Sequence, residues 1–385
     1  MREETGVAKG MKTDSAEKGP KVVISGYYGF DNCGDEAVLL AMIRGLKKIR
    51  PDTRMVVLSG NPKKTRDTYA VEAVNRRNPF IIAYELLTCR LFISGGGSLL
   101  QDVTSTKSLR YYLALINMAS TLGKRTMIYS QGIGPLSRGK NRKRVSRALN
   151  RCHVISVRDR HSAGMLRGLG IARDILVTCD PVMSLCAEDV DIEGIEAVLR
   201  EIGIPGNEAE TRRPLLLAAV RSWGDNSHIG PVSEFLDKRA KSGWDVLLAP
   251  AHYPDDKAAM DEISRRMTEK PYLLDKCLTA CEFLALTARA DMVFSMRLHG
   301  LVCALAVGTP MLGLSYDPKV DAFMEQAGLE GYCMPLDAFD CGEAEQLFAE
   351  LESFAPNPQV WLEARRREMR ELVMVSAQKA AELLK

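Results

Sequence analysis

An arginine and a histidine two residues apart frame the chemistry open to this sequence. Arg297 and His299 stand in Ser295-Met296-Arg297-Leu298-His299-Gly300-Leu301, directly behind Met292 to Ser295, which reads as a buried strand. If the segment is extended, the two side chains share a face. Imidazole titrates near neutrality and can give or take a proton, while a guanidinium fork suits carboxylate or phosphate. The helix expected over Leu301 to Val307 is apolar and needs no histidine for its packing. A second burst of charge, Arg158-Asp159-Arg160-His161, likewise ends a strand, Val154 to Val157.

Three glycine-bearing segments occupy the same kind of position. Gly26-Tyr27-Tyr28-Gly29-Phe30-Asp31-Asn32-Cys33-Gly34-Asp35-Glu36 joins a strand to a helix, so its amides and the helix start can receive an anion or sugar hydroxyls. Its spacing does not fit Gly-x-Gly-x-x-Gly, and no Gly-Lys-Ser/Thr follows, which disfavours a dinucleotide fingerprint or a P-loop. In Ser94 to Asp102, the run Gly95-Gly96-Gly97-Ser98 lets a ligand approach the backbone closely. Ser130-Gln131-Gly132-Ile133-Gly134-Pro135 is placed the same way. A cleft lined by these loops is rich in Arg and His, with few carboxylates facing the ligand. It suits a small anion carrying both carboxylate and phosphate. No metal site is expected: Asp189-Val190-Asp191 falls in an acidic stretch that reads as solvated, and His153, His228 and His252 lack zinc-ligand spacing.

The elements that must hold these loops alternate along most of the chain. Strands are expected at Lys21 to Ser25, Arg54 to Ser59, Leu91 to Ser94, Thr126 to Ser130 and Val154 to Val157. Helices at Asp35 to Ile49, Leu109 to Leu122 and Asn141 to Arg151 are interleaved with them. The alternation restarts at Leu215 with strands through Met311 to Ser315. This implies parallel sheets with helices on both faces, and ligands at the carboxyl ends of the strands. The expected class is α/β, with two Rossmann-like domains facing a cleft. The expected division is a disordered lead-in over 1–20, an N-terminal domain over 21–186, a linker over 187–213, a C-terminal domain over 214–357 and a polar C-terminal helix over 358–385 that packs back on the first half.

Composition narrows the function classes. The 385 residues are 46% hydrophobic and 26% charged, as in ordinary globular chains, which excludes bulk disorder. A net charge of +3 is too small to mark a nucleic-acid binder. Mean hydropathy is −0.10, and no apolar run approaches the roughly 18 residues needed to cross a bilayer. Residues 1–20 have no apolar core of the secretory kind. The ten cysteines form no Cys-x-x-Cys pair and read as reduced, so a cytoplasmic protein is expected. One feature departs from the average: Arg138, Lys140, Arg142, Lys143, Arg144, Arg147 and Arg151 form a cationic stretch suited to the inner face of a membrane.

Four of these motifs together carry a family resemblance. Gly29-Phe30-Asp31-Asn32-Cys33-Gly34-Asp35-Glu36-Ala37, Gly95 to Asp102, Ser130 to Pro135 and Met296-Arg297-Leu298-His299 resemble, in order, the polysaccharide pyruvyl transferase family. Within it the chain is most similar to the CsaB type, which pyruvylates a secondary cell-wall polymer that anchors surface layers. The resemblance implies a fold like that of GT-B glycosyltransferases and phosphoenolpyruvate as donor. It implies as acceptor a β-linked N-acetylmannosamine on a lipid-linked precursor, with a 4,6-ketal as product and no further cofactor. Carried onto this sequence, it places Arg158, His299 and Lys319 in the active site, with Lys319 in Ser315-Tyr316-Asp317-Pro318-Lys319 behind a strand. Arg297, Gly95, Gly96, Gly97 and Ser98 are the expected donor-binding residues; Asp31, Asn32, Gly34, Asp35 and Gln131 are the expected acceptor-binding ones. A nucleotide-sugar glycosyltransferase of the same shape is the main alternative, and would want a ribose-binding acid in the second half. A non-catalytic carbohydrate-binding module would not need four anion-suited loops.

Overall fold

Strand runs that are apolar from end to end, rather than alternating, belong to sheets covered on both faces. The computed structural model describes residues 19–103, 105–186, 190–353 and 358–385, and it contains two such sheets. The first is built from β1 (Lys21–Ser25), β2 (Arg54–Ser59), β3 (Glu72–Asn75), β4 (Leu91–Ser94), β5 (Gly97–Leu100), β6 (Arg125–Ile133), β7 (Val154–Val157) and β8 (Ile175–Val177). Its order is β3-β2-β1-β4-β6-β7-β8, with β5 paired to β6 beyond the end of β4. The second holds β9 (Leu215–Ala219), β10 (Asp245–Leu248), β11 (Tyr272–Leu273), β12 (Met292–Ser295), β13 (Met311–Ser315) and β14 (Cys333–Pro335), in the order β11-β10-β9-β12-β13-β14. All the pairs are parallel. Strand order reverses between β1 and β4 in one sheet and between β9 and β12 in the other, and loops diverge there to leave a crevice.

The two halves share an apolar interior. One apolar cluster runs from Val22 and Ile24 through the helix Cys33–Ile49 to Leu215 and Leu217, while separate clusters cover the outer face of each sheet. The helix Leu298–Val307 lies within the shared cluster, which explains why its sequence is apolar all round. Polar stitches reinforce the junction: Asn32 forms an antiparallel bridge with His252, and the Cys33 amide donates to the Ala251 carbonyl at 3.1 Å. The helix Pro358–Glu382 returns to the first half. Its Met369 carbonyl accepts from Cys179 Sγ at 3.0 Å, and Ser376 Oγ lies 2.9 Å from the hydroxyls of both Ser130 and Ser156.

The structure adds elements to the sequence reading. Between β2 and β4 lie two helices, Pro62–Tyr69 and Pro79–Thr88, each opened by an asparagine cap and a proline. The glycine run is shorter than expected as a loop, because Gly97 already begins β5. Residues 187–213, expected as a linker plus a helix, include the helix Ile192–Glu201, capped by Asp191; Asp189, the other carboxylate of the Asp-x-Asp motif, lies outside the described residues, as does most of the lead-in. Among the described residues no helix is long and apolar enough to cross a membrane, and no group of three or more His, Cys, Asp or Glu side chains is arranged to hold a metal ion.

Candidate active site

The crevices of the two sheets face each other and enclose a cavity of about 480 Å3. From the first sheet, the helix Cys33–Ile49 and its cap contribute Asn32, Gly34 and Asp35, and the start of β5 contributes Gly97 and Ser98. Arg158, just past β7, completes that side. From the second sheet come Arg297 and His299 behind β12, and Lys319 behind β13.

Asn32 is fixed by its own backbone work. It caps the helix Cys33–Ile49, its Oδ1 accepting from the amides of Gly34 at 3.1 Å and Asp35 at 3.4 Å. The turn of helix that follows brings Gly34 against the imidazole: a Cβ there would stand 2.1 Å from His299 Nδ1. Gly97 allows a similar approach from the start of β5, at φ +87° and with Asp35 Oδ1 2.7 Å from where a Cβ would be. Asp35 is thereby enclosed on both sides. Burial pushes its carboxyl up from the usual 3.8 to about 6, with Glu36 adding to the rise, while His299, Arg158 and Lys319 pull it down.

Each cation at the cavity is anchored from behind by a carboxylate. Arg158 directs Nη1 to Asp180 Oδ2 at 3.2 Å and Nη2 to Ser98 Oγ at 3.1 Å. Arg297 presents Nε to the two oxygens of Asp256 at 3.1 and 3.2 Å, and its Nη2 also contacts Asp256. Asp256 is fully buried and further accepts the amides of Ala251 and His252 at 3.1 and 3.0 Å. Lys319 Nζ lies 2.9 Å from Asp317 Oδ2. These pairs hold the cationic heads in fixed positions, which is the preorganisation an anion site requires.

Asp180 joins the two halves. Its Oδ2, bonded to Arg158 from the first sheet, also lies 3.7 Å from His299 Nε2 of the second. Burial works to raise the Asp180 carboxyl, but His299, Arg158 and the Val182 amide outweigh it and hold the group below its usual value. His299 Nε2 is buried and has no hydrogen-bond partner, since 3.7 Å exceeds bonding reach.

Several residues singled out from the sequence stand elsewhere. Gly95 and Gly96 do not reach the cavity: they are packed against Tyr28 and Val38, where a Cβ would clash at 2.3 and 2.6 Å. Asp31, at φ +58°, turns away and pairs with Lys64 at 2.6 Å. Gln131 is fully buried, its Nε2 donating to Ser94 Oγ and the Gly95 carbonyl at 2.9 and 2.6 Å. Arg297 and His299 do not share an extended face. Arg297 is the extended residue capping the helix Leu298–Val307, whereas His299 is already in its first turn, so one points to Asp256 and the other to Gly34. Among the described residues lining the cavity Asp35 is the one carboxylate, in keeping with the few expected to face the ligand; behind the cations stand Asp180, Asp256 and Asp317. The first two were passed over in the sequence. Asp180 follows the three-residue edge strand β8, and the Asp-Pro step after a strand was the available signal.

Comparison with known proteins fits this architecture. A family model described as polysaccharide pyruvyl transferase matches residues 32–318. No curated protein matches the sequence. Among solved structures, a glycosyltransferase from Rickettsia africae superposes with a TM-score of 0.64 at 12% identity, over 95% of this chain and 98% of that one. A putative UDP-N-acetylglucosamine 2-epimerase from Listeria monocytogenes gives 0.63 at 11%, over 94% and 95%. ADP-heptose LPS heptosyltransferase II of E. coli gives 0.51 at 16%, over 86% and 98%. At these identities the likeness is one of fold, and the fold is GT-B-like.

Proposed function

Because the chain belongs to the polysaccharide pyruvyl transferase family, we propose that it moves the enolpyruvyl group of phosphoenolpyruvate onto an N-acetylmannosamine of a lipid-linked cell-wall precursor, closing a 4,6-ketal. The observation that carries this reading is the convergence of three anchored cations, a histidine and a carboxyl poised near 6 on one cavity between the sheets. Arg158, Arg297 and Lys319 neutralise the donor's carboxylate and phosphate. His299 protonates the donor's methylene carbon, and the cationic centre left at C2 is attacked by a sugar hydroxyl oxygen. The C2–oxygen bond to phosphate then breaks, phosphate departs, and the second hydroxyl oxygen closes the ring at C2. Of the two hydroxyl protons released, one balances the proton gained by carbon and the other leaves with phosphate. Asp35 takes the hydroxyl proton, with Asn32 and the Gly34 backbone beside it on the acceptor side.

A nucleotide-sugar donor fits this wall less well. A ribose wants an available carboxylate on the second half, and Asp256 there is occupied by Arg297 and two amides. No metal enters the scheme. The protein would work at the cytoplasmic face of the membrane that carries its lipid-linked acceptor. The test is incubation with phosphoenolpyruvate and a lipid-mimic disaccharide ending in N-acetylmannosamine, with and without EDTA. Phosphate release matched by a pyruvyl mass gain, insensitive to EDTA, is expected. Transfer of a sugar from a nucleotide donor instead, or loss on chelation restored by Mg2+, would refute the reading.

A further inference from the structure

A second chamber, of about 420 Å3, opens beside the cavity and shares Ser98, Arg158 and Lys319 with it. Its wall from the second sheet is aromatic. Trp223 and Tyr316 pack with ring centroids 4.6 Å apart, and the Arg221 guanidinium lies over both rings at 5.1 and 5.3 Å. Arg221 Nη1 also donates to the Tyr316 hydroxyl at 3.2 Å. Trp223 nevertheless remains 44% exposed. Its backbone is pinned by a turn in which its amide donates to Asn226 Oδ1 at 2.9 Å and its carbonyl accepts from the Asn226 amide at 3.0 Å. Core packing does not require an indole held open in this way. The loop bearing it follows β9, at the point where the strand order of the second sheet reverses.

We propose that this chamber is a second saccharide subsite, which seats the sugar adjoining the one that receives pyruvate, its C–H face on Trp223. The proposal rests on the reading of the acceptor as a saccharide chain. Three features select that occupant. A pyranose has one apolar face and a polar rim, matching a chamber lined both by the indole and by polar groups that include His161, Asp159 and Lys319. An acyl chain would bring hydrocarbon against Arg158, Asp159, Asp317 and Lys319, whose charged heads line the same chamber. Finally, a three-carbon donor fills little of two compartments that each reach the roughly 300–1,000 Å3 of a small-ligand site. The pair is dimensioned for a longer molecule threading past Arg158 and Lys319.

The experiment compares kcat/KM for methyl β-N-acetylmannosaminide with that for a disaccharide ending in β-N-acetylmannosamine. Wild type, Trp223→Ala and Trp223→Phe are each assayed, and calorimetric titration of each with the disaccharide and with UDP is run alongside. Wild type should prefer the disaccharide. Trp223→Ala should lose about tenfold of that preference, equivalent to about 1.4 kcal/mol, and bind the disaccharide correspondingly more weakly. Trp223→Phe, which keeps a ring face, should retain most of it, with unchanged thermal melts confirming the fold. A preference that survives in Trp223→Ala, or binding of UDP but not the disaccharide, overturns the subsite. If wild type turns over neither acceptor, the pyruvyl-acceptor reading fails for this sugar; the titrations then decide the subsite alone, and equal binding by wild type and Trp223→Ala rejects it.

Discussion

Replacing Asp35 by asparagine should make the protein more stable and nearly inactive at once. The carboxyl is enclosed between Gly97 and the first turn of a buried helix, and burial raises it from 3.8 to about 6. Between those values the unfolded chain releases a proton that the folded chain keeps, so stability falls as pH rises through 3.8 to 6. Below 3.8 both states hold the proton and the penalty vanishes; above 6 it is complete. At 1.36 kcal/mol for each tenfold change, the full penalty is about 3 kcal/mol. Asparagine has the same shape and no charge to desolvate. Its variant should match wild type near pH 3.5 and exceed it by up to about 3 kcal/mol at pH 7–8, several degrees in Tm. Turnover should fall about 10²–10⁴-fold, the usual worth of a general acid or base. The wild-type rate should climb between pH 5 and 7 as Asp35 ionises, and this limb should be missing from the variant. Thermal melts and initial rates across pH 4–8 test both halves. Parallel melting curves would show that the carboxyl is not desolvated; near-parental turnover would remove Asp35 from proton transfer.

His299→Ala and Lys319→Ala should each lower kcat by at least about 10²-fold while the melt stays close to wild type, and a folded His299→Ala enzyme with near-parental turnover would remove that residue from the mechanism. Gly34→Ala should do similar damage by a different route, since the new methyl would stand 2.1 Å from His299 Nδ1 and displace the ring, although alanine favours the helix by up to about 1 kcal/mol. A crystal structure of that variant with His299 unmoved would refute the explanation. The seven exposed basic residues from Arg138 to Arg151, on and flanking the helix Gly139–Leu149, have no acidic neighbour in sequence; changing Arg144, Arg147 and Arg151 to Gln should weaken binding to anionic vesicles about 100-fold at roughly 1 kcal/mol each. The attraction should disappear at high salt, and equal sedimentation of both proteins would return the stretch to an ordinary solvated surface.

Much of the scaffold was legible because parallel strands buried on both faces leave unbroken apolar runs. Leu91–Ser94, Val154–Val157 and Met292–Ser295 could be read to the residue. Asn61-Pro62 and Asn78-Pro79 were legible too, as a capping residue followed by proline at the first helical position, yet their short helices lack a long apolar stripe to draw the eye. Side-chain direction was harder. Gln131 looked like a loop residue because Gly132 and Gly134 follow the expected strand Thr126 to Ser130, but β5 extends the pairing, so β6 runs on to Ile133 and Gln131 hydrogen-bonds Ser94 within the sheet. Asp31 and Asp35 are four apart in one segment, but Asp31 sits at positive φ in the loop while Asp35 is already in the first turn of the helix. Asp180 and Asp256 could not be found by spacing at all. Their importance comes from contacts with Arg158, His299 and Arg297, from 22 to 119 residues away.

Those buried carboxylates change how the site must be understood. Three unpaired cations and a histidine closing on one cleft would repel one another, and burying them without partners would be costly. Behind each stands an acid, so the resting site carries little net charge and its cations are held rather than mobile. Asp180 goes further, because the same oxygen serves Arg158 from one sheet and faces His299 from the other. The shared apolar core and the Asn32–His252 bridge already join the two halves, so this carboxylate need not hold the fold together. Its remaining task is orientation: it sets the guanidinium and the imidazole relative to one another across the cleft. The guanidinium and the imidazole therefore stand prearranged across the cleft, the shared carboxylate oxygen 3.2 Å from Arg158 Nη1 and 3.7 Å from His299 Nε2.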